Sequence, residues 1–147
     1  MSTAEPARVV LERILSAPPP EVFRAWTDPA RLRVFMCPGE VSSTDVEADV
    51  RVGGRFRLVM HRGGDALVHT GEYRIVDAPT RLAFTWYSPA TGPGGSLVTI
   101  TLAPHAKGTR LVLTHEQLPG DESAKAHTRG WTDILEKLAR HLPHEEV

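Results

Sequence analysis

The period of the apolar residues changes once along the chain, and that change limits the fold more than any other feature. From Val41 to Glu116 hydrophobic side chains recur at every second position in short runs. Near the C-terminus Trp131, Ile134, Leu135, Leu138 and Leu142 instead follow i, i+3, i+4, i+7 and i+11. That spacing lays one apolar stripe along an α-helix. Asp133 with Lys137 and Glu136 with Arg140 add acid-before-base pairs at i, i+4, and Pro143 stops the segment. A helix of about 20 residues is about 30 Å long, enough to lie across a whole sheet.

The alternating region resolves into closely spaced strands. Val46, Ala48 and Val50 alternate with Asp45, Glu47 and Asp49, and Gly53-Gly54 marks a turn. Phe56, Leu58 and Met60 form the next inward phase, and Gly63-Gly64-Asp65 the next turn. Further strands are expected over Leu67 to Val76, Leu82 to Tyr87, a run through Val98, Ile100 and Leu102, and Arg110 to Glu116. Short turns between such strands imply an antiparallel meander. Ahead of it, Val9 to Leu15 reads as a first strand. Pro18 to Pro20 open a short helix bearing Val22, Phe23 and Trp26, and Asp28-Pro29 caps a second that runs to about Met36. The fold class expected is therefore α+β: six or seven antiparallel strands curved around one long C-terminal helix, with two short helices after the first strand. One domain spans 1–147, its core about 8–142.

Composition narrows the functions. With 17 Lys+Arg against 18 Asp+Glu the net charge is −1, which removes the electrostatic case for nucleic acid. The apolar runs fall far short of the ~20 residues a membrane span needs. Cys37 is the single cysteine, so no intrachain disulfide forms and a buried, inert thiol is the default. Met1 to Arg8 lacks a basic segment ahead of an apolar one, and a cytoplasmic location is expected.

Several phrases resemble the START-like superfamily, also called SRPBCC or Bet v 1-like, in its branch of activator of heat-shock-protein-90 ATPase homologues. They are Ala17-Pro18 with Val22 to Trp26 and Asp28-Pro29, Val52-Gly53-Gly54-Arg55-Phe56, Gly71-Glu72-Tyr73, and Leu82 to Trp86. Gly108-Thr109-Arg110-Leu111, Thr114-His115 and Gly130-Trp131 complete the set, which covers roughly residues 8–142. The resemblance implies a helix-grip fold with a hydrophobic pocket between helix and sheet, in a superfamily that binds lipids, sterols or polyketides. Where that branch often carries a Trp-rich phrase, this chain has Phe35-Met36-Cys37-Pro38-Gly39, which implies a differently shaped entrance.

The strand and helix phases nominate the residues that face such a pocket. Met60, His69, Tyr73, Trp86, His115, His127 and Trp131 point inward, an apolar set with a few polar anchors, as small-molecule sites usually have. A register slip of one residue would turn His69 to solvent. His61 and His105 fall on outward phases, and His141 and His144 on the helix end or tail. No catalytic signature stands out: Gly94-Gly95-Ser96 is not a nucleophile elbow, and His144-Glu145 lacks a following metal-binding His. Neither metal nor cofactor is expected. The leading expectation is a binder of a hydrophobic or amphipathic small molecule. A cyclase, dehydratase or hydrolase using His69, His115 or His127 is the second reading. A homodimer or chaperone cofactor using the outer sheet face is the third.

Overall fold

The computed structural model describes residues 7–142. It consists of β1 (Ala7–Leu15), α1 (Pro19–Thr27), α2 (Pro29–Phe35), β2 (Ser43–Ala48), β3 (Arg55–Arg62), β4 (Asp65–Asp77), β5 (Arg81–Trp86), β6 (Ser96–His105), β7 (Gly108–Leu118) and α3 (Asp121–His141). All pairings are antiparallel, and the seven strands lie in the order β1-β7-β6-β5-β4-β3-β2. The curved sheet, the two short helices and the long C-terminal helix are those of the expected helix-grip fold. Among the described residues no helix is long and apolar enough to cross a membrane.

Local chemistry explains the first turns. Three prolines fill the cap and first turn of α1, positions where a missing N–H costs nothing. Asp28 closes α1 through its backbone N–H and opens α2 by accepting the Ala30 N–H at 3.0 Å. One residue thus fixes the angle between the two helices. The inward phase of β3 carries Phe56, Leu58 and Met60 opposite Gly71, His69 and Leu67 of β4. Phe56 lies over Gly71, where a Cβ would sit 2.5 Å from Phe56 Cε2 and closer still to the Thr85 carbonyl oxygen. That glycine is there for close approach between layers, not for its backbone angles.

The core joins this sheet face to α1, α2 and α3 through Trp26, Phe35, Phe84, Ile100, Leu111, Leu113, Trp131 and Leu138, all buried. Several boundaries differ from the sequence reading. β1 begins at Ala7, β2 ends at Ala48, and β7 extends to Gly108 and Leu118 because its partners β6 and β1 run that far. β5 stops at Trp86, leaving Tyr87 in a lone bridge to Thr70. Glu136, expected to pair with Arg140, instead accepts from Arg13 of β1 at 2.7 Å, because α3 lies against that strand. Lys137 and Asp133 do pair, at 3.6 Å. Pro143, His144 and Glu145 lie outside the described residues.

Candidate functional site

Beside the middle of α3, along residues 126–134, helix and sheet leave a space between them. They enclose an open cleft of about 730 Å³ between α3, the ends of β3, β4 and β5, the β5–β6 loop and the Pro38–Val41 segment. Met60, Leu67, Trp86, Trp131, Ile134 and Val41 give it mainly apolar walls. Two features of α3 make room. Trp131 turns its ring into the sheet, 5.1 Å from Trp86 between centroids. Gly130, the residue before it, presents no side chain, and a Cβ there would meet nothing nearer than Pro38 Cβ at 4.0 Å.

Polar groups in and behind the cleft wall form two networks whose protons can be placed from donor and acceptor rules. Trp131 Nε1 can only donate, and it donates to His115 Nδ1 at 2.9 Å. Ser96 Oγ gives its proton to the Trp86 carbonyl at 2.7 Å, so it accepts from His115 Nε2, also at 2.7 Å. His115 is therefore neutral, protonated on Nε2, with both nitrogens occupied. It is 0% exposed, and its pKa is pushed down to about 3, by burial first and by His127 second. No lone pair or proton remains for a substrate.

His127 Nδ1 lies 2.8 Å from the Ser123 carbonyl, which can only accept, so the single proton of the neutral ring is there. Nε2 then accepts from Ser88 Oγ at 3.3 Å. Ser88 Oγ also receives the Ala90 N–H at 3.2 Å, and Ser123 Oγ donates to the Ala90 carbonyl at 2.6 Å. Together these contacts tie the β5–β6 loop to the first turns of α3. His69 follows the same pattern, with Nδ1 donating to the Leu67 carbonyl at 3.1 Å. Its pKa falls to about 4, chiefly through burial against which the Leu67 carbonyl works. Burial likewise lowers that of His127.

Of the residues nominated from sequence, Met60, His69, Trp86, His127 and Trp131 line this cleft. His115 and Tyr73 do not. His115 lies behind the cleft wall, 4.5 Å from His127 and 6.0 Å from Trp131 between ring centroids. Tyr73 borders a separate void of about 20 Å³ beside Trp26, Phe56 and Phe84, and burial raises its pKa to about 12. Trp86 Nε1 and Trp26 Nε1 have no hydrogen-bond partner among the described residues. The rim carries the charged residues Glu40, Arg62, Arg129 and Asp133, with Asp133 accepting the Gly39 N–H at 2.6 Å.

Sequence reasoning missed Ser88, Ser96 and Ser123, although each continues an inward phase: Ser88 two residues after Trp86, Ser96 two before Val98, Ser123 four before His127. Cys37, expected to be buried, is only partly so, because it sits in the loop after α2, with Sγ 3.3 Å from Thr44 Oγ1. His61 faces outward and pairs with Asp45 at 2.9 Å, and His105 is exposed. No cluster of His, Cys, Asp or Glu suited to a metal occurs among the described residues.

Comparison with known proteins places this geometry in company. The family model described as Activator of Hsp90 ATPase homolog 1-like protein matches residues 16–143. The fold is similar to that of CV1439 from Chromobacterium violaceum, at 28% identity and TM-score 0.82 over 94% of this chain and 99% of that one. It is also similar to a Rhizobium leguminosarum protein, at 30% identity and TM-score 0.77 over 95% and 96% of the two chains. NE0264 from Nitrosomonas europaea shows 26% identity and TM-score 0.76 over 90% and 92%. No curated protein matches the sequence.

Proposed function

The chain belongs to the Activator of Hsp90 ATPase homolog 1-like family, and from that premise and the cleft we propose that it binds a hydrophobic or amphipathic small molecule, lipid- or polyketide-like, between α3 and the sheet. The observation that carries the reading is the cleft itself: about 730 Å³, with mainly apolar walls and a few polar groups among them. Ligand pockets fall in the range of about 300–1,000 Å³ with this mixture of surfaces. Binding is driven by removal of apolar area from water, and the polar groups fix orientation.

Gly130 gives the cleanest test. A glycine inside a helix costs about 0.5–1 kcal/mol relative to alanine, yet here it borders the open space. Gly130→Phe adds a ring at a position that lines the cleft and whose Cβ meets no atom nearer than 4.0 Å. Wild-type protein is expected to bind the apolar fluorophore N-phenyl-1-naphthylamine and to carry a small molecule in native mass spectra of fresh preparations. Gly130→Phe is expected to lose both while unfolding at the wild-type urea midpoint or above. Equal probe binding by the two proteins, or none by either, overturns the proposal.

A further inference from the structure

The polar corner of the cleft has an unbalanced supply of hydrogen-bond donors and acceptors, and the imbalance restricts the ligand. This inference rests on the binding role proposed above. A neutral imidazole has one N–H. In both cleft histidines it is committed to a backbone carbonyl: Ser123 for His127 at 2.8 Å, and Leu67 for His69 at 3.1 Å. Each ring is left with an unprotonated nitrogen that can only accept, and that of His127 faces Ser88 Oγ. The Trp131 N–H is committed to His115, the Gly39 N–H to Asp133, and Trp86 Nε1 is buried out of reach. Ser123 Oγ beside His127 gives its proton to the Ala90 carbonyl, so among the described lining residues the available hydroxyl proton is that of Ser88, held 3.3 Å from His127 Nε2. That is long for an O–H···N contact and is readily exchanged for a better one. The cationic groups of the lining, Arg62 and Arg129, are on exposed residues of the rim.

A ligand hydroxyl complements this corner on both counts. It gives its proton to His127 Nε2 and takes the Ser88 Oγ–H in return, leaving Ser88 still accepting from Ala90. An ether supplies only an acceptor. A carboxylate brings acceptors alone against bare nitrogens, and desolvation of its charge is not repaid. We propose that Ser88 and His127 form a subsite for an alcohol or phenol hydroxyl, so that the cleft selects hydroxyl-bearing hydrophobic molecules over the matching ethers and acids.

The test compares one ring with three polar groups. β-Naphthol, its methyl ether and β-naphthoate are titrated calorimetrically, at about pH 7.5 where the histidines are neutral, into wild type, His127→Phe and Ser88→Ala. Wild type is expected to bind the naphthol about tenfold more tightly than the ether, the worth of roughly one well-placed hydrogen bond, and more tightly than the naphthoate. His127→Phe brings naphthol and ether within about twofold by weakening the naphthol alone, and Ser88→Ala reduces the preference severalfold. Ser88→Ala keeps the test open should His127→Phe misfold. Equal binding of all three compounds by wild type overturns the subsite and leaves the binding role standing. A preference that survives in a folded His127→Phe protein and in Ser88→Ala, or tighter binding of naphthoate, also overturns the subsite. Binding of none overturns both proposals.

Discussion

Mild acid should destabilise this protein well before its carboxylates titrate, and the reason is the state in which its buried histidines are held. His115 is locked neutral between Trp131 and Ser96, with its pKa pushed down to about 3, and His69 is pushed down to about 4. In the unfolded chain both titrate near the ordinary histidine value, ~6.5. Below that value the unfolded chain takes up protons that the folded one refuses. Stability is thus complete above about pH 6.5, falls as pH drops, and levels out only below the folded-state values. Each histidine contributes roughly 1.4 kcal/mol per pH unit inside the window, so near pH 5 the two together cost about 4 kcal/mol. Against a typical total of about 5–15 kcal/mol that is a large fraction. His127, lowered in the same direction, steepens the slope. Glu136 does not confuse the reading, because Arg13 lowers its pKa away from the window. Urea unfolding monitored by tryptophan fluorescence at steps between about pH 7.5 and 5 measures the slope directly. His115→Gln should unfold more easily at every pH, but its slope should be shallower by about 1.4 kcal/mol per pH unit. If His115→Gln retains the wild-type slope, His115 is not held neutral in the folded state and the proton assignment is wrong.

Two further substitutions probe the same interior. Trp131→Phe strands His115 Nδ1 and Ser96→Ala strands its Nε2–H, each costing about 1–3 kcal/mol. Because both act on one ring, the double variant should depart from additivity by at least about 0.5 kcal/mol in urea denaturation. Gly71→Ala forces a methyl group into the Phe56 ring and the Thr85 carbonyl. It should lower stability by about 1–3 kcal/mol, visible as a reduced urea midpoint with an unchanged m-value.

The fold was legible because its signals are periodic and local. Alternation placed His69 on the inward phase beside Leu67 and Tyr73, and the structure pairs it with Leu58 and buries it to 8% exposure. The stripe through Trp131 and Leu138 placed α3 with equal directness. What periodicity cannot distinguish is depth. His115, His127 and Tyr73 share inward phases, yet one lies behind the wall, one lines the cleft and one borders another void. Those differences arise from where α3 crosses the sheet and how large the intervening side chains are. Local spacing points Glu136 at Arg140 for a related cause, since its partner Arg13 is 123 residues away in sequence and 2.7 Å away in space. The serines leave no such signal because small polar residues add nothing to a hydrophobic pattern, although their phase marks them as inward.

A cleft of this size beside a close-packed core needs something to prevent its collapse, since protein interiors ordinarily tolerate few voids larger than a water molecule. Three features supply it. The Trp131 indole is the side chain best placed to fall into the space, and its hydrogen bond to His115 holds the ring against Trp86 instead. Releasing it would strand a buried lone pair and an indole N–H together. Gly130 removes the side chain that would otherwise occupy the mouth. The Ser88–His127 and Ser123–Ala90 bonds keep the β5–β6 loop attached to α3. His115 therefore serves the cleft without touching anything inside it. Its substitution should reduce binding of an apolar probe even though no ligand atom reaches it, with the loss following the freedom gained by Trp131 and not any change in the lining.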